Sequence, residues 1–428
     1  MNCISSLNVL ILLLCLSICP ACGAQVSESP VPADPLSYRI DYVVKPNQMD
    51  GTVAVTLTLS QDTALLREMT MRPDSRITDL EADGDLDISD AELRWVPPES
   101  GGTMSWSVSV AHRRNGDGHD AWLGMEWGLF RAEDIIPRAA TRTLKNARSE
   151  TWLTLRLPKG WSAVTQYFSA NGQTRIENPE RRFDQPSGWM VMGDLGVRRE
   201  TIAGIRVAVA GPTGNSVRRM DTLALLNWTL PELGRLLSDL PARLTVVSAG
   251  DPMWRGGLSA PQSLFLHADR PLISENATST LLHEVMHMSL SLHADIGYDW
   301  IVEGLAEYYS LQLLQRSGTI SDTRYDHARA DLADWAKSTS VLCQPTSTGA
   351  TTAFAVGVFA ALNDEVYELT AGGANLDDVA RELQQYSGDV DLDTLSEITE
   401  HIAGSKPDTL HIEKLPGCRK IAIGNQET

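Results

Sequence analysis

The segment Leu281–Leu290 carries two histidines and a glutamate at a spacing that strongly restricts how this chain can fold. It reads LLHEVMHMSL, with His283 and His287 four residues apart and Glu284 directly after the first. In an α-helix, positions i and i+4 lie on one face, so both imidazoles would point to one location. Two histidines supply half of a tetrahedral metal site, and the adjacent glutamate can reach a water at the metal. The alternative is an amphipathic helix in which the two histidines occur by chance.

A second acidic helix, predicted over Trp300–Arg316, follows the histidine pair. It begins WIVEGLAEYYS, and fifteen residues separate its Glu303 from His287. HEVMH and WIVEGLAEYY together resemble the gluzincin clan of metallopeptidases, particularly the glycyl-aminopeptidase-like and aminopeptidase N-like families. The resemblance implies that Glu303 is the third ligand, beside His283 and His287, of one Zn²⁺ per chain. Two histidines and one carboxylate leave the fourth metal position open, as catalysis requires.

A further glutamate, Glu307, lies one helical turn beyond Glu303 and on the same face. Imidazoles that bind a metal usually donate their other ring N–H to a carboxylate. We therefore predict that Glu307 accepts a hydrogen bond from His283. The alternative for both glutamates is the solvated acidic face of a surface helix.

The resemblance also implies an architecture. We expect an α+β protein with an N-terminal antiparallel β domain, a thermolysin-like zinc catalytic domain and a C-terminal helical region. Short alternating segments such as Thr52–Ser60 (TVAVTLTLS) predict strands of a β-sandwich-like domain over 36–205. The residue pattern then changes from short alternating strands to a mixture of strands and helices, which places the catalytic domain at 206–340, with the histidine helix at about 277–293. The helical region follows at 341–428.

The segment before the histidine helix departs from the family pattern. Aminopeptidases of this type carry a glutamate on an edge strand that holds the free α-amino group of the substrate. The matching segment here is Gly256-Gly257-Leu258-Ser259, which we interpret as substrate-binding, and Ser259 stands at the glutamate position. A neutral hydroxyl cannot form that ion pair, so this departure argues against a strict aminopeptidase.

A second departure concerns the group that stabilises the oxyanion. Aminopeptidase N-like enzymes use a tyrosine three residues before a glycine in a downstream helix. The corresponding pair here is Phe354 and Gly357, and a phenylalanine has no hydroxyl. Losing one oxyanion donor typically costs about 3 kcal/mol of transition-state stabilisation. Tyr308, Tyr309 or a histidine elsewhere are substitute candidates, although both tyrosines could equally be core residues.

These residues predict zinc-dependent hydrolysis of peptide bonds in a peptide or protein substrate, with Glu284 as general base. One alternative is a catalytically weak or silent homologue that binds metal or peptide, which the two departures favour. Another is a zinc hydrolase of a non-peptide substrate. The formal net charge of -19 argues against nucleic acid as a partner, because no basic excess exists to neutralise phosphates.

The first residues predict export to the periplasm or the extracellular space. Asn8–Ile18 is an apolar run followed by small residues, typical of a signal peptide over 1–24 that is too short to span a membrane. Residues 25–35 are rich in Ser, Pro and Ala and read as a linker. Lipid attachment at Cys19 or Cys22 is the alternative to simple export.

Cysteine usage agrees with export. Four of the six cysteines lie within residues 1–24, which leaves Cys343 and Cys418 in the mature chain. Two cysteines in an exported protein most simply form one disulfide, and we predict this pair. The alternative is two buried free thiols.

Overall fold

The structure is a computed structural model that describes residues 36–72, 74–114, 118–167, 172–178 and 183–418. The predicted signal peptide and linker, including Cys19 and Cys22, lie outside the described residues. Within the described residues, no helix is both long enough and apolar enough to cross a membrane.

The first part of the described chain consists almost entirely of strands. Hydrophobic and polar residues alternate along Ser37–Asn47 and Thr52–Ser60, for example, so that one face of each of these strands is buried. The strands are β1 (Ser37–Asn47), β2 (Thr52–Ser60), β3 (Leu66–Met71), β4 (Ile77–Ala82), β5 (Asp85–Ile88), β6 (Leu93–Val96), β7 (Gly101–Ser109), β8 (His112–Arg114), β9 (Gly118–Leu123), β10 (Trp127–Arg131), β11 (Ala139–Thr143), β12 (Arg148–Leu155), β13 (Ser162–Val164), β14 (Gln173–Ile176) and β15 (Trp189–Gly193).

These strands form three sheets. Their orders are β14-β12-β1-β2-β7-β4, β11-β3-β6-β5 and β13-β15-β10-β9-β8. One pair departs from the predicted antiparallel arrangement, because β1 and β12 run parallel. Ten strands separate these two along the chain, so no tight turn between them fixes their direction.

A fourth sheet, of five strands, lies beneath the histidine helix. Its elements are β16 (Leu195–Ile202), β17 (Ile205–Pro212), α1 (Arg219–Leu236), β18 (Arg243–Ala249), β19 (Gly257–Ala260) and β20 (Ser263–His267). The order is β16-β17-β18-β20-β19, with the three central strands parallel and both edge strands antiparallel to them. Because β16 pairs with β17 as a hairpin, this sheet begins at Leu195. The sequence pattern predicted the boundary between the two domains after residue 205.

Helices dominate the rest of the described chain. The elements are α2 (Thr280–Leu290), β21 (His293–Ala294), α3 (Asp299–Arg316), α4 (Asp322–Ala336), α5 (Ala350–Leu369), α6 (Leu376–Gln385), β22 (Asp389–Val390) and α7 (Leu392–Ala403). The described chain is therefore a mixed α and β structure.

One large apolar core joins the fourth sheet to the helices. Trp300 of α3 packs its ring against Phe359 of α5, with ring centres 5.7 Å apart, and both side chains are fully buried. α2 packs on one side against β19 and β20 and on the other against α3. This packing fixes α2 and α3 side by side, so that residues on their facing sides meet.

A disulfide joins Cys343 to Cys418, with 4.8 Å between the Cα atoms. Cys343 lies between α4 and α5, and Cys418 is the last described residue. The bridge therefore ties the end of the described chain to the helical core.

Removing this bridge should destabilise the fold. The two cysteines are 75 residues apart, and a cross-link over a long loop reduces the entropy of the unfolded chain. We expect the Cys343→Ser/Cys418→Ser variant to lose about 2–4 kcal/mol of unfolding free energy, measured by urea denaturation. Dithiothreitol should weaken the wild type by a similar amount and leave the double variant unchanged. Equal sensitivity of both proteins to the reductant would contradict the expectation.

Candidate metal centre

Helix α2 is anchored by its cap and by its apolar face. The Ser279 hydroxyl accepts a hydrogen bond from the backbone N–H of Leu282 at 3.3 Å, which satisfies a free donor of the first turn. Four apolar side chains of the helix are fully buried: Leu281, Leu282, Val285 and Met286. His283 and His287 lie on the opposite face and are half-buried.

Helix α3 presents its acidic side chains to these histidines. Its apolar residues Trp300, Ile301 and Leu305 are buried in the core. Glu303 and Glu307 are one turn apart on another face and are half-buried. The sequence pattern placed both carboxylates on one face, and the packing of α3 on α2 turns that face toward the imidazoles.

Three side chains converge at one point. Glu303 Oε2 lies 3.3 Å from His283 Nε2, and Glu303 Oε1 lies 3.3 Å from His287 Nε2. The two Nε2 atoms are 2.9 Å apart. In a tetrahedral site with bonds of about 2.0–2.1 Å, neighbouring donor atoms stand roughly 3.3 Å apart. The separations found here fit that geometry, so His283, His287 and Glu303 could hold a metal ion.

Glu307 meets His283 from the other side of the ring. Its Oε2 atom lies 2.9 Å from His283 Nδ1. With Nδ1 donating to this carboxylate, Nε2 is left free to face an ion. The structure thus brings Glu307 to the position that the sequence spacing indicates.

The charges of these groups favour a cation between them. Burial disfavours a charged His283 ring, but hydrogen bonds to Glu303 and Glu307 outweigh it and raise the pKa of His283 to about 10. Burial would raise the pKa of Glu303, yet hydrogen bonds with His283 and His287 lower it to about 2. A proton on His283 or a metal ion can supply the positive charge that the carboxylates favour.

Glu284 stands on the side of α2 that faces strand β19. Its residue is only 8% exposed, and burial is the main reason why the pKa of its carboxyl is raised. The nearby histidines oppose that shift, as does a hydrogen bond between the Glu284 carboxyl and the Ser259 hydroxyl. Ser259, which replaces the expected glutamate, therefore contacts the candidate general base.

The two glycines of the predicted substrate segment are required by close packing. A Cβ atom on Gly257 would lie 2.8 Å from Cγ of Glu284, and one on Gly256 would lie 2.0 Å from the ring of Trp254. Only glycine lets the backbone approach these side chains so closely. Trp254 is a neighbour of the site that sequence reasoning missed, although an aromatic residue two positions before Gly-Gly could have indicated it.

The proposed oxyanion residues are not brought to the metal ligands. Tyr308 and Tyr309 are buried in the core, and the charged groups that act on both hydroxyls are Asp377 and Arg316. Phe354 lines a cavity of about 440 Å³ between α4 and α5. Burial of Tyr308 and Tyr309 in the core favours the alternative that both are core residues, and the assignment of an oxyanion group stays open.

The carboxylate of Asp299 also lies near the candidate ligands, and the sequence analysis did not identify it. Asp299 Oδ2 accepts a hydrogen bond from the backbone N–H of Ser347 at 2.6 Å. Burial raises the pKa of Asp299, and Glu303 and His287 are among the charges that act on it. Asp299 precedes Glu303 by one helical turn, so helical spacing could have identified it.

The fold is similar to that of a solved structure. An aminopeptidase N family protein from Idiomarina loihiensis aligns with a TM-score of 0.60, over 89% of this chain and 74% of that chain. The chain has an aminopeptidase N-like fold. The aligned sequences are 17% identical, a level at which the likeness establishes the fold alone. No protein-family model and no curated protein sequence matches the chain.

Metal binding to this candidate site should compete with protons. Because the pKa of His283 is raised to about 10, its ring carries a proton near pH 7 and must release it to bind an ion. With Zn²⁺ as the probe, we expect release of about one proton per ion and an affinity that rises roughly tenfold per pH unit between about pH 6 and 9. Calorimetry in buffers of different ionisation enthalpy measures both. The Glu307→Gln variant should release fewer protons, and an affinity independent of pH would contradict the assignment.

Filling the space at Gly257 should disturb Glu284. The Gly257→Ala side chain would overlap Glu284 and would lie 2.7 Å from Cγ2 of Thr280, so we expect a loss of about 1–3 kcal/mol in unfolding free energy. Urea denaturation measures this loss. Gly214→Ala is the matched control, because its Cβ would meet nothing within 4 Å. Equal stability of the two variants would show that β19 does not pack against Glu284 as described.

Proposed function

We propose that this chain is a zinc-dependent peptidase. The observation that carries the proposal is the convergence of His283, His287 and Glu303, with Glu284 beside them and an edge strand alongside. A set of two imidazoles and one carboxylate suits zinc and leaves a coordination position for catalysis. When bound, zinc supplies Lewis acidity that polarises a carbonyl and lowers the pKa of water.

Glu284 is the proposed general base. It accepts a proton from the attacking water and later donates it to the leaving amine. Burial raises the pKa of its carboxyl, which suits an acid–base group that works near neutral pH. The Ser259 hydroxyl restrains this carboxyl from the strand side.

Strand β19 is the proposed guide for the substrate. It is an edge strand of its sheet and pairs with β20 on one side, and no described strand pairs with its other side. An extended peptide can add to such an edge by main-chain hydrogen bonds. Because Gly257 of β19 packs on Glu284, a peptide on this edge would pass close to the general base.

We further propose that the enzyme does not require a free α-amino group. The glutamate that would bind such an amine is Ser259 here, and its hydroxyl is engaged by Glu284. Cleavage at internal peptide bonds is therefore the expected activity.

The second candidate is a binding protein with weak or no catalysis. The observation in its favour is Phe354, which has no hydroxyl at the position where the family carries a tyrosine. The intact ligand set with Glu284 favours an enzyme over this alternative. Export is part of the proposal, because the Cys343–Cys418 disulfide suits an oxidising compartment.

The role of Glu284 can be tested by substitution. We expect Glu284→Gln to lower kcat on internally quenched peptides by at least about 10²-fold, because proton transfer is lost, while bound zinc is unchanged. Activity is measured by fluorescence and zinc by atomic absorption. The control is Glu275→Gln, an exposed glutamate just before α2, which should remain fully active. A Glu284→Gln protein with wild-type activity would overturn the mechanism, and zinc binding without hydrolysis in the wild type would favour the binding protein.

A further inference from the structure

The hairpin of β8 and β9 is hydrogen-bonded to the segment that leads into β19. The backbone N–H of His119 donates to the Pro252 carbonyl at 3.0 Å, and that of Trp254 donates to the His119 carbonyl at 2.8 Å. Gly118 is packed so tightly here that a Cβ would lie 2.6 Å from Cα of Trp254. The strand-rich part of the chain therefore fixes the position of Trp254.

Arg114, at the end of β8, lies over the ring of Trp254. Its guanidinium carbon is 4.4 Å from the ring centre, within the range of a cation–π contact. The residue is exposed, and within the described residues Arg114 has no ion pair. Arg255 nearby differs, because it is paired with Asp251 at 3.0 Å. The Trp254 ring therefore holds the exposed guanidinium of Arg114 beside the segment that leads into β19.

A continuous set of contacts links Arg114 to the general base. The Trp254 ring lies against Gly256, and the next residue, Gly257, lies against Glu284. The peptide bond to be cleaved would therefore lie near Gly257. The Arg114 guanidinium lies further along the same segment, past Gly256 and over Trp254.

The direction of the strand decides which part of the substrate would reach Arg114. β19 runs from Gly257 to Ala260, and antiparallel pairing is the more stable mode of adding a strand. A peptide paired in this way runs opposite to β19, with its amino-terminal part near Ser259. Its carboxyl-terminal part, which leaves as the amine product, passes Gly256 toward Trp254. Arg114 would then face a group about two or three residues beyond the reacting bond.

We propose that Arg114, held over Trp254, is a specificity-determining residue that binds a carboxylate in the leaving-group part of a peptide. This proposal rests on the proposed peptidase function. A guanidinium matches a carboxylate through two parallel N–H donors, and a stacked guanidinium loses less entropy when it binds. The carboxylate is either an Asp or Glu side chain or the carboxyl terminus of a short peptide.

Four internally quenched peptides, which differ only at one residue and at the carboxyl terminus, test the proposal. They also distinguish a side-chain carboxylate from a terminal carboxylate. They carry Glu or Gln three residues beyond the cleaved bond, each with a free or an amidated carboxyl terminus. For Arg114→Gln we expect KM to rise roughly tenfold on peptides with the recognised carboxylate, with kcat unchanged, and no change on the fully neutral peptide. Arg114→Lys should restore part of the loss. The matched control is Arg113→Gln, an exposed arginine whose side chain points to the other face of β8.

The outcomes distinguish recognition from catalysis. An equal loss on all four peptides, an unchanged KM on all of them, or the same pattern in Arg113→Gln overturns the role of Arg114. If the wild type cleaves none of the peptides, the proposed function fails, and recognition is tested by fluorescence anisotropy of the same peptides with zinc-loaded protein. Binding of the carboxylate peptides that Arg114→Gln weakens about tenfold would still support the proposal, and binding that is insensitive to Arg114 would overturn it.

Discussion

The site depends on the packing of α2 against α3, which brings two carboxylates onto two imidazoles. Glu303 contacts both rings and Glu307 contacts one, in a half-buried space where like charges repel strongly. Such a group is stable only with a positive charge among its members. The need for this positive charge explains the raised pKa of His283, and it also explains why the geometry suits a metal ion.

Helical periodicity predicts which side chains of the candidate metal centre share a face, whereas the choice of Glu303 as third ligand rests on the resemblance to the gluzincin clan. The i, i+4 spacing of His283 and His287, and that of Glu303 and Glu307, fixes their faces before any tertiary contact forms. The same rule argues against Tyr308, because at about 100° per residue it lies roughly 140° around the helix from Glu303. Its burial in the core agrees with that geometry.

Long-range pairing was not predictable in this way. The parallel alignment of β1 with β12 depends on which strands meet in space, and alternation of residues does not encode that choice. The contact of Arg114 with Trp254 joins residues far apart in the chain. The fold likeness at 17% identity has the same origin, since many different residues satisfy one pattern of buried and exposed positions.

An unpaired strand edge carries a hazard as well as a use. The backbone donors and acceptors that could receive a peptide on β19 would equally receive a strand from a second copy of the protein, which is a route to aggregation. β19 is only four residues long, and Pro252 and Pro261, which have no backbone N–H, stand before and after it. A hydrogen-bond ladder between two molecules could therefore extend over very few residues, so the shortness of β19 disfavours self-association through this edge.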